Sequence, residues 1–487
     1  MTGRVRVRYA PSPTGEPHVG NIRTAIFDWL FAKHYGGDFI IRIEDTDQNR
    51  KVEGAVEVQL NALRWLGLDW DEGPVKGGDY GPYVQSERLE KYQVVAEQLI
   101  ESGHAYRCNC TSERLTKVRE EQAKRKDTVG YDRHCRDLTE DQRKEQSDSG
   151  VASVVRFKMP QEGTTTLSDL VRGDVTFENK LVDDFVMMKS DGYPTYHLAH
   201  VVDDHLMEIS HVFRGEDWLS SAPRHLQIYE ALGWQPPEFA HLSNILAADG
   251  SKLSKRHGAT SIQEFQESGY LPEAMLNFLT LLGWSLDGQT ELFTREELAS
   301  HFSIDRVSRS GSVFDNEKLN WMDGHYIREM PHKDLADALL AYWNEYPCDE
   351  VPTDKIGRAF AVQVAALVQE RLKTLKDAAP LIAFFFQDEL AYESGELVQK
   401  GMDADGTKAG LQAAHGGLTD LEPFDAQSME DLLRPMSKDL NVKVGQLFGS
   451  LRIATTGLRV APPLFETMEI LGKDRTLKAL QKAIERL

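Results

Sequence analysis

The chain has 487 residues, past the size at which one hydrophobic core stops growing, so about two to four domains are expected. Its 41% hydrophobic and 27% charged residues are those of a folded protein, no apolar run reaches the roughly 18 residues of a membrane span, and the N-terminal segment has no signal-peptide core. Four cysteines exclude a disulfide framework and make the cytoplasm the default, while a net charge of −21 excludes a broadly basic surface, so a polyanionic partner must be gripped at local sites.

Arg4 to Tyr9 alternates with period two and reads as a strand, followed by the turn Pro11-Ser-Pro-Thr-Gly15. From about Val19, Ile22, Ile26, Trp29 and Leu30 recur at helix spacing until Gly36-Gly37. Phe39 to Ile43 is a second strand, closed by Glu44-Asp45-Thr46-Asp47. Strand, helix and strand within about 45 residues make a βαβ unit, so residues 1–90 are expected to begin a Rossmann-like, doubly wound α/β domain. Residues 91–194 read as an insertion, with a charged helix from Glu113 to Lys126 and a cysteine cluster. Sheet-like sequence resumes at Tyr196, and Ile209 to Phe213 reads as a strand ending at Arg214-Gly-Glu-Asp217. A helix to Gly233 follows, giving the second half of the α/β domain, residues 195–250. Residues 251–330 open on Ser251-Lys-Leu-Ser-Lys-Arg256. Beyond them Leu335 to Trp343, Ala359 to Lys376, Ser428 to Leu433 and Arg475 to Leu487 are helical in pattern, so 331–487 is expected to be an all-helical C-terminal domain.

In open α/β sheets a ligand sits outside the carboxyl ends of the strands. The first strand delivers Arg8 there, and Gly15 and Gly20 let backbone approach a ligand closely. The helix start near His18 aims N–H groups at the same crevice, an arrangement that attracts phosphate. Lys252, Lys255 and Arg256 add cations able to stabilise negative charge on a triphosphate. Taken singly, His18 is a loop histidine beside a helix cap and the lysines a basic surface loop. Arg8 and Arg214 both fall at strand ends, where arginine suits bidentate recognition of a carboxylate, and Glu44 can take an ammonium group. The alternative for each is a structural ion pair such as Arg8–Glu44. In the insertion, Cys108, Cys110 and Cys135 with His134 or Asp137 could form a tetrahedral zinc site, or stay free thiols.

Pro-Ser-Pro-Thr-Gly-x-x-His-x-Gly after the first strand, with the Lys252-Leu-Ser-Lys-Arg256 loop after the last, resembles the class I aminoacyl-tRNA synthetases and, more narrowly, the glutamyl-tRNA synthetases. The likeness extends through Ile43 to Asp47, Asp191 to Tyr196, Val202 to Asp204, Arg214 to Glu216, Tyr270 to Ala274, Asn277 to Leu279 and Leu319 to Met322. Asn21 stands where the class signature often has a second histidine, so no role follows for position 21. The resemblance implies a glutamate–tRNA ligase that uses ATP with Mg²⁺ and L-glutamate, charges the 2′-hydroxyl of tRNA-Glu, activates glutamate once tRNA is bound, and works as a cytoplasmic monomer. It implies His18, Lys252 and Lys255 as catalytic residues. ATP would be held by His18, Gly20, Glu216, Leu246 and Lys255. Glutamate would meet Arg8, Ser12, Glu44, Tyr196, His200 and Arg214. The inserted domain would hold the acceptor end of tRNA, with zinc on Cys108, Cys110, Cys135 and Asp137, where other members have histidine and His134 competes. Residues 251–330 would contact the tRNA stem. Arg371, Arg452, Pro462, Leu464 and Phe465 match anticodon-binding segments, since single-stranded bases are read by arginine and by stacking.

Two rivals differ in specific features. A glutaminyl-tRNA synthetase resembles Pro-Pro-Glu-Pro-Asn-Gly in its first loop and ends in β-barrels, whereas this loop is Pro-Ser-Pro-Thr-Gly and the tail is helical. A His-x-Gly-His nucleotidyltransferase acting on a small metabolite would lack both the lysine loop and the helical tail.

Overall fold

The computed structural model describes residues 4–127, 129–148 and 150–487. The chain divides into two units, Met1–Phe265 with Pro272–Asn316, and Gln266–Leu271 with Glu317–Leu487.

The first unit opens with strand β1 (Arg6–Tyr9), helix α1 (Val19–Tyr35) and strand β2 (Asp38–Ile41), then α2 (Ala55–Trp65) and α3 (Leu89–Glu101). There follow β3 (Ala105–Cys108), α4 (Ser112–Arg125), α5 (Glu140–Asp148), β4 (Val154–Phe157), β5 (Thr164–Asp169), β6 (Gly173–Glu178) and β7 (Val186–Met188). Next come α6 (Tyr196–Leu206), β8 (His211–Gly215), α7 (Ala222–Leu232) and β9 (Glu238–Leu242). β1 and β2 pair in parallel, as do β8 and β9. The amide of Ser210 donates to Arg6 O at 2.9 Å, so the parallel layer runs β2, β1, β8, β9. β5 extends that layer where Asp169 meets Phe239, with β6 antiparallel to it, and β3, β4 and β7 form a separate antiparallel sheet. This is the expected Rossmann-like α/β architecture.

The alternation in β1 has a different cause from an exposed face. Arg6 and Arg8 are both buried, Arg6 on Asp38 and Glu72 at 2.9 Å each, Arg8 on Asp204. α1 is buried nearly all round and ends at Gly36 in the left-handed region, φ 62°, which glycine enters without a Cβ penalty.

The sheet-like reading of Tyr196 is corrected: Thr195 precedes helix α6, and Leu198, Val201 and Val202 are buried at helix spacing. The aromatic Tyr196 and the β-branched Val201 and Val202 suggest a strand, but α6 is a core helix buried on several sides, so its packing overrides that preference.

The second unit contains no strand among the described residues. The helix expected from Ala359 to Lys376 stops at Val368 and gives way to 3₁₀ turns at Gln369–Arg371 and Leu375–Asp377. The buried Gln369 amide donates to Ile327 O at 2.8 Å and Met330 O at 2.7 Å, satisfying carbonyls at the end of the helix Asn316–Glu329. A non-local contact thus outcompetes local helix continuation. The last helix, Lys473–Arg486, turns Thr476, Leu480, Ala483 and Ile484 inward onto a core that includes Leu411, Leu451 and Met468. No helix among the described residues is long and apolar enough to cross a membrane.

Candidate active site

A cleft of about 760 Å³ opens at the carboxyl ends of β1, β2 and β8. Arg8, Ser12, Glu44, Tyr196 and Arg214 all line it. One face of α1 supplies Asn21, Thr24 and Asp28, and Phe213, Gly215 and Trp218 close it from the β8 side. His200 is fully buried and does not line the cleft; its ring stacks on Tyr196 at 5.3 Å. Burial pushes the His200 imidazole down to about 3, so it is neutral beside Asp204, 3.0 Å away.

The two strand-end arginines have different surroundings. Arg8 Nε donates to Asp204 at 3.1 Å, and Arg42 Nη1 donates to the same carboxylate at 2.6 Å. Arg8 therefore pairs with Asp204 in place of the Arg8–Glu44 pair considered from sequence, and Glu44 accepts from Arg42 at 3.0 Å. Burial pushes the Glu44 carboxyl up, a shift that Arg42 and Arg8 oppose but do not reverse. The neighbouring Asp203 holds Arg88 and Tyr92 at 2.7 Å each. These buried charges are thus matched pairwise, as burial requires. Arg214 is not: it makes no ion pair among the described residues, and its Nη2 has no hydrogen-bond partner. Two adjacent aspartates inside an apolar helix were a sequence signal for buried cationic partners, but nothing local identified those partners.

The two loops are joined by backbone. Val19 N donates to Thr260 O at 2.8 Å and His18 bridges Ser261, so the segment following the lysine loop is hydrogen-bonded to the start of α1. His18 caps α1 by accepting from Gly20 N at Nδ1, 3.0 Å away. That bond leaves the ring proton on Nε2. Burial lowers the His18 pKa, and the charges of Lys252 and Lys255 lower it further. A Cβ on residue 20 would sit 3.3 Å from His18 Nδ1, so the glycine preserves this cap. Lys252 is paired with Asp217, and Lys255 is exposed at the start of the turn Lys255–His257. Glu216 accepts from Asn244 N at 2.9 Å, and Leu246 O accepts from Phe314 N at 2.8 Å.

Cys108, Cys110 and Cys135 gather with their sulfurs within 4.8 Å of one another. Asp137 is outside this group: its side chain is 77% exposed and lies 3.5 Å from Lys158 Nζ, and His134 is exposed as well. The oxygen beside the sulfurs is the Tyr131 hydroxyl, 3.4 Å from Cys108 Sγ and 3.9 Å from Cys110 Sγ. The three thiols are spaced to share one metal ion, and the Tyr131 oxygen stands beside two of them. Tyrosine is not a usual zinc ligand, so the spacing of Cys, His and Asp in the sequence does not point to Tyr131.

In the second unit Arg371 is exposed and Arg452 half-buried. Pro462, Leu464 and Phe465 are buried, and the Phe465 ring packs edge-on against Phe448 at 5.0 Å. The Phe465 ring is therefore core, not an open stacking face; in that segment Val460 is exposed.

The family "tRNA synthetases class I (E and Q), catalytic domain" matches residues 4–321, and "Anticodon binding domain" matches 334–484. A glutamate–tRNA ligase of Dehalococcoides mccartyi is 54% identical, over 100% of this chain and 99% of its own. One from Roseiflexus castenholzii is 48% identical, over 99% and 97%. Among solved structures, a glutamate tRNA ligase from Elizabethkingia meningosepticum in complex with its amino acid superposes with a TM-score of 0.89 at 34% identity, covering 100% of both chains.

Proposed function

We propose a division of labour on one premise: the chain belongs to the class I tRNA synthetases of the glutamate and glutamine group. Its activity is that of a glutamate–tRNA ligase, which activates glutamate with ATP and transfers it to tRNA. The observation that carries the assignment of the amino-acid site is Arg214, a buried guanidinium at the cleft with an unused Nη2 and no carboxylate partner among the described residues. The side-chain carboxylate of glutamate supplies that partner, and Glu44 takes the ammonium group. Ser12 and Tyr196 line the same cleft, Arg8 fixes its floor through Asp204, and His200 backs Tyr196.

The attacking carboxylate is ionised at neutral pH, so activation needs no general base. It needs alignment on the α-phosphorus, where the carboxylate displaces pyrophosphate to give glutamyl-adenylate, and neutralisation of the charge that develops on the departing pyrophosphate. His18 donates Nε2–H to a phosphate oxygen, and Lys252 and Lys255 close over the triphosphate, Lys252 exchanging Asp217 for phosphate. Gly20, Glu216 and Leu246 shape the surrounding nucleotide site. Mg²⁺ carried with ATP supplies further neutralisation of the triphosphate. The terminal ribose 2′-hydroxyl of tRNA-Glu then attacks the acyl carbonyl and releases AMP.

The insertion meets the acceptor end of tRNA, and a structural zinc held by Cys108, Cys110 and Cys135 with the Tyr131 oxygen would stiffen it. Arg371 and Arg452 read anticodon bases. The test is ATP–pyrophosphate exchange and tRNA charging with glutamate or glutamine, with and without tRNA. Exchange and charging with glutamate alone are expected. Exchange with glutamine but not glutamate would overturn the assignment.

A further inference from the structure

Arg214 is held almost entirely by neutral nitrogen. Its Nε donates to His241 Nε2 at 2.8 Å, and its Nη1 lies 3.1 Å from His225 Nδ1 and 3.3 Å from the Tyr196 hydroxyl. The Phe239 ring lies 5.1 Å from the guanidinium carbon. A guanidinium has five donors and no acceptor, so both facing imidazole nitrogens must carry lone pairs.

That requirement fixes every proton in the chain of contacts. His241 accepts at Nε2, so its proton is on Nδ1, which faces Asp169 Oδ2 at 2.5 Å. Asp169 is buried and also accepts backbone N–H groups from Val171 at 3.0 Å, Arg172 at 2.8 Å and His241 at 3.1 Å, so it is ionised and can only accept. On the other side His225 accepts at Nδ1, so its proton is on Nε2, facing His197 Nδ1 at 3.1 Å. Burial lowers all three histidines, His197 to about 4, which keeps them uncharged. One tautomer set therefore accommodates Asp169, His241, His225 and His197 together, with Arg214 Nη2 left unused.

A carboxylate in the place of either histidine would orient Arg214 equally well but cancel its charge. Arg8, with Asp204, is in that compensated state. We propose that the Asp169–His241 and His197–His225 pairs are positioning residues for amino-acid selection. They fix the direction of the Arg214 guanidinium through neutral acceptors, so that its positive charge is left for the carboxylate side chain that distinguishes glutamate from glutamine. The hairpin β5–β6 of the insertion contributes Asp169, and so the inserted segment takes part in building the amino-acid site. The inference rests on the reading that Arg214 binds the glutamate side chain.

The full-length protein is assayed by pyrophosphate exchange with tRNA present, varying glutamate and ATP separately. Arg214→Ala comes first: an unchanged KM for glutamate would overturn the underlying reading of Arg214. Given a raised KM there, His225→Leu and His241→Leu should each raise the glutamate KM about 10-fold or more, the scale of one hydrogen bond to a charged group, with the ATP KM unchanged. His225→Gln, a neutral acceptor, should recover most of this, whereas His225→Glu should raise the glutamate KM beyond the leucine variant and narrow discrimination against glutamine. If His225→Glu bound glutamate as well as wild type, or if the leucine variants raised the glutamate and ATP KM values in equal proportion, the positioning role would be overturned while Arg214 kept its own.

Discussion

Asp28 presents a buried carboxyl whose protonation state can be read from stability. It lies on the cleft face of α1, is fully buried, and neither oxygen has a hydrogen-bond partner among the described residues. Burial raises its pKa well above the usual carboxylate range; Arg8 opposes that shift and Asp204 reinforces it. A carboxyl whose folded pKa is raised contributes stability below its unfolded pKa, near 3.9, and loses it as pH rises towards the folded pKa. Across that interval each pH unit costs the wild type about 1.4 kcal/mol relative to Asp28→Asn, which keeps the shape and cannot ionise. For a cooperative unit of roughly 300 residues 1 kcal/mol corresponds to about 1.5–2 °C in Tm. The Tm advantage of Asp28→Asn should therefore widen by about 2 °C per pH unit as pH rises from the unfolded pKa towards the raised folded one. Scanning calorimetry on both proteins at one scan rate, read at the transition that the substitution shifts, measures this difference, and contributions from groups remote from Asp28 cancel. Parallel Tm–pH curves would refute the reasoning, because they would mean that Asp28 is ionised in the fold and held by Arg8.

Lys252 and Asp217 form an exposed pair, 57% and 55% accessible, and exposed pairs add little stability. Lys252→Ala should leave Tm unchanged but slow pyrophosphate exchange by about 100-fold or more; an unchanged rate would remove the lysine from the chemistry. Cys110→Ser should lose bound zinc in metal analysis while Asp137→Ala retains it, and the reverse result would restore Asp137 as the ligand. Arg371→Ala should raise the KM for tRNA about 10-fold and leave those for glutamate and ATP untouched, as measured by charging kinetics.

The parts of this enzyme that could be read from sequence are those whose causes are local. The Pro-Ser-Pro-Thr-Gly turn, the spacing of Ile22, Ile26 and Leu30, and the terminal glycines delimit β1 and α1 without reference to the rest of the chain. Partnerships across sequence were not legible. Arg8 finds Asp204, 196 positions away, when Glu44 was nearer along the chain. Gln369 ends a helix by reaching Ile327 and Met330, and no periodicity of residues 359–376 carries that information. Phe465 has the composition of a stacking residue and the environment of a core one. Tyr131 joins the cysteine cluster because the chain between Cys110 and Cys135 folds back on it, and ligand spacing rules do not include tyrosine.

Charge explains why the two strand-end arginines, alike in sequence, differ in consequence. Burying a cation in a protein of net charge −21 is readily compensated, and Arg8, Arg42 and Arg88 are each compensated by Asp203, Asp204 or Glu44. A binding site for a carboxylate needs the opposite: a cation kept buried, oriented and unpaired until the ligand arrives. Neutral imidazoles meet that need where carboxylates would defeat it, since they accept a hydrogen bond without supplying a counter-charge. The histidines around Arg214 are thus part of the same electrostatic solution as the aspartates around Arg8. One set removes charge from the interior, and the other, on the proposed assignment of Arg214, preserves it where the glutamate side chain completes the pair.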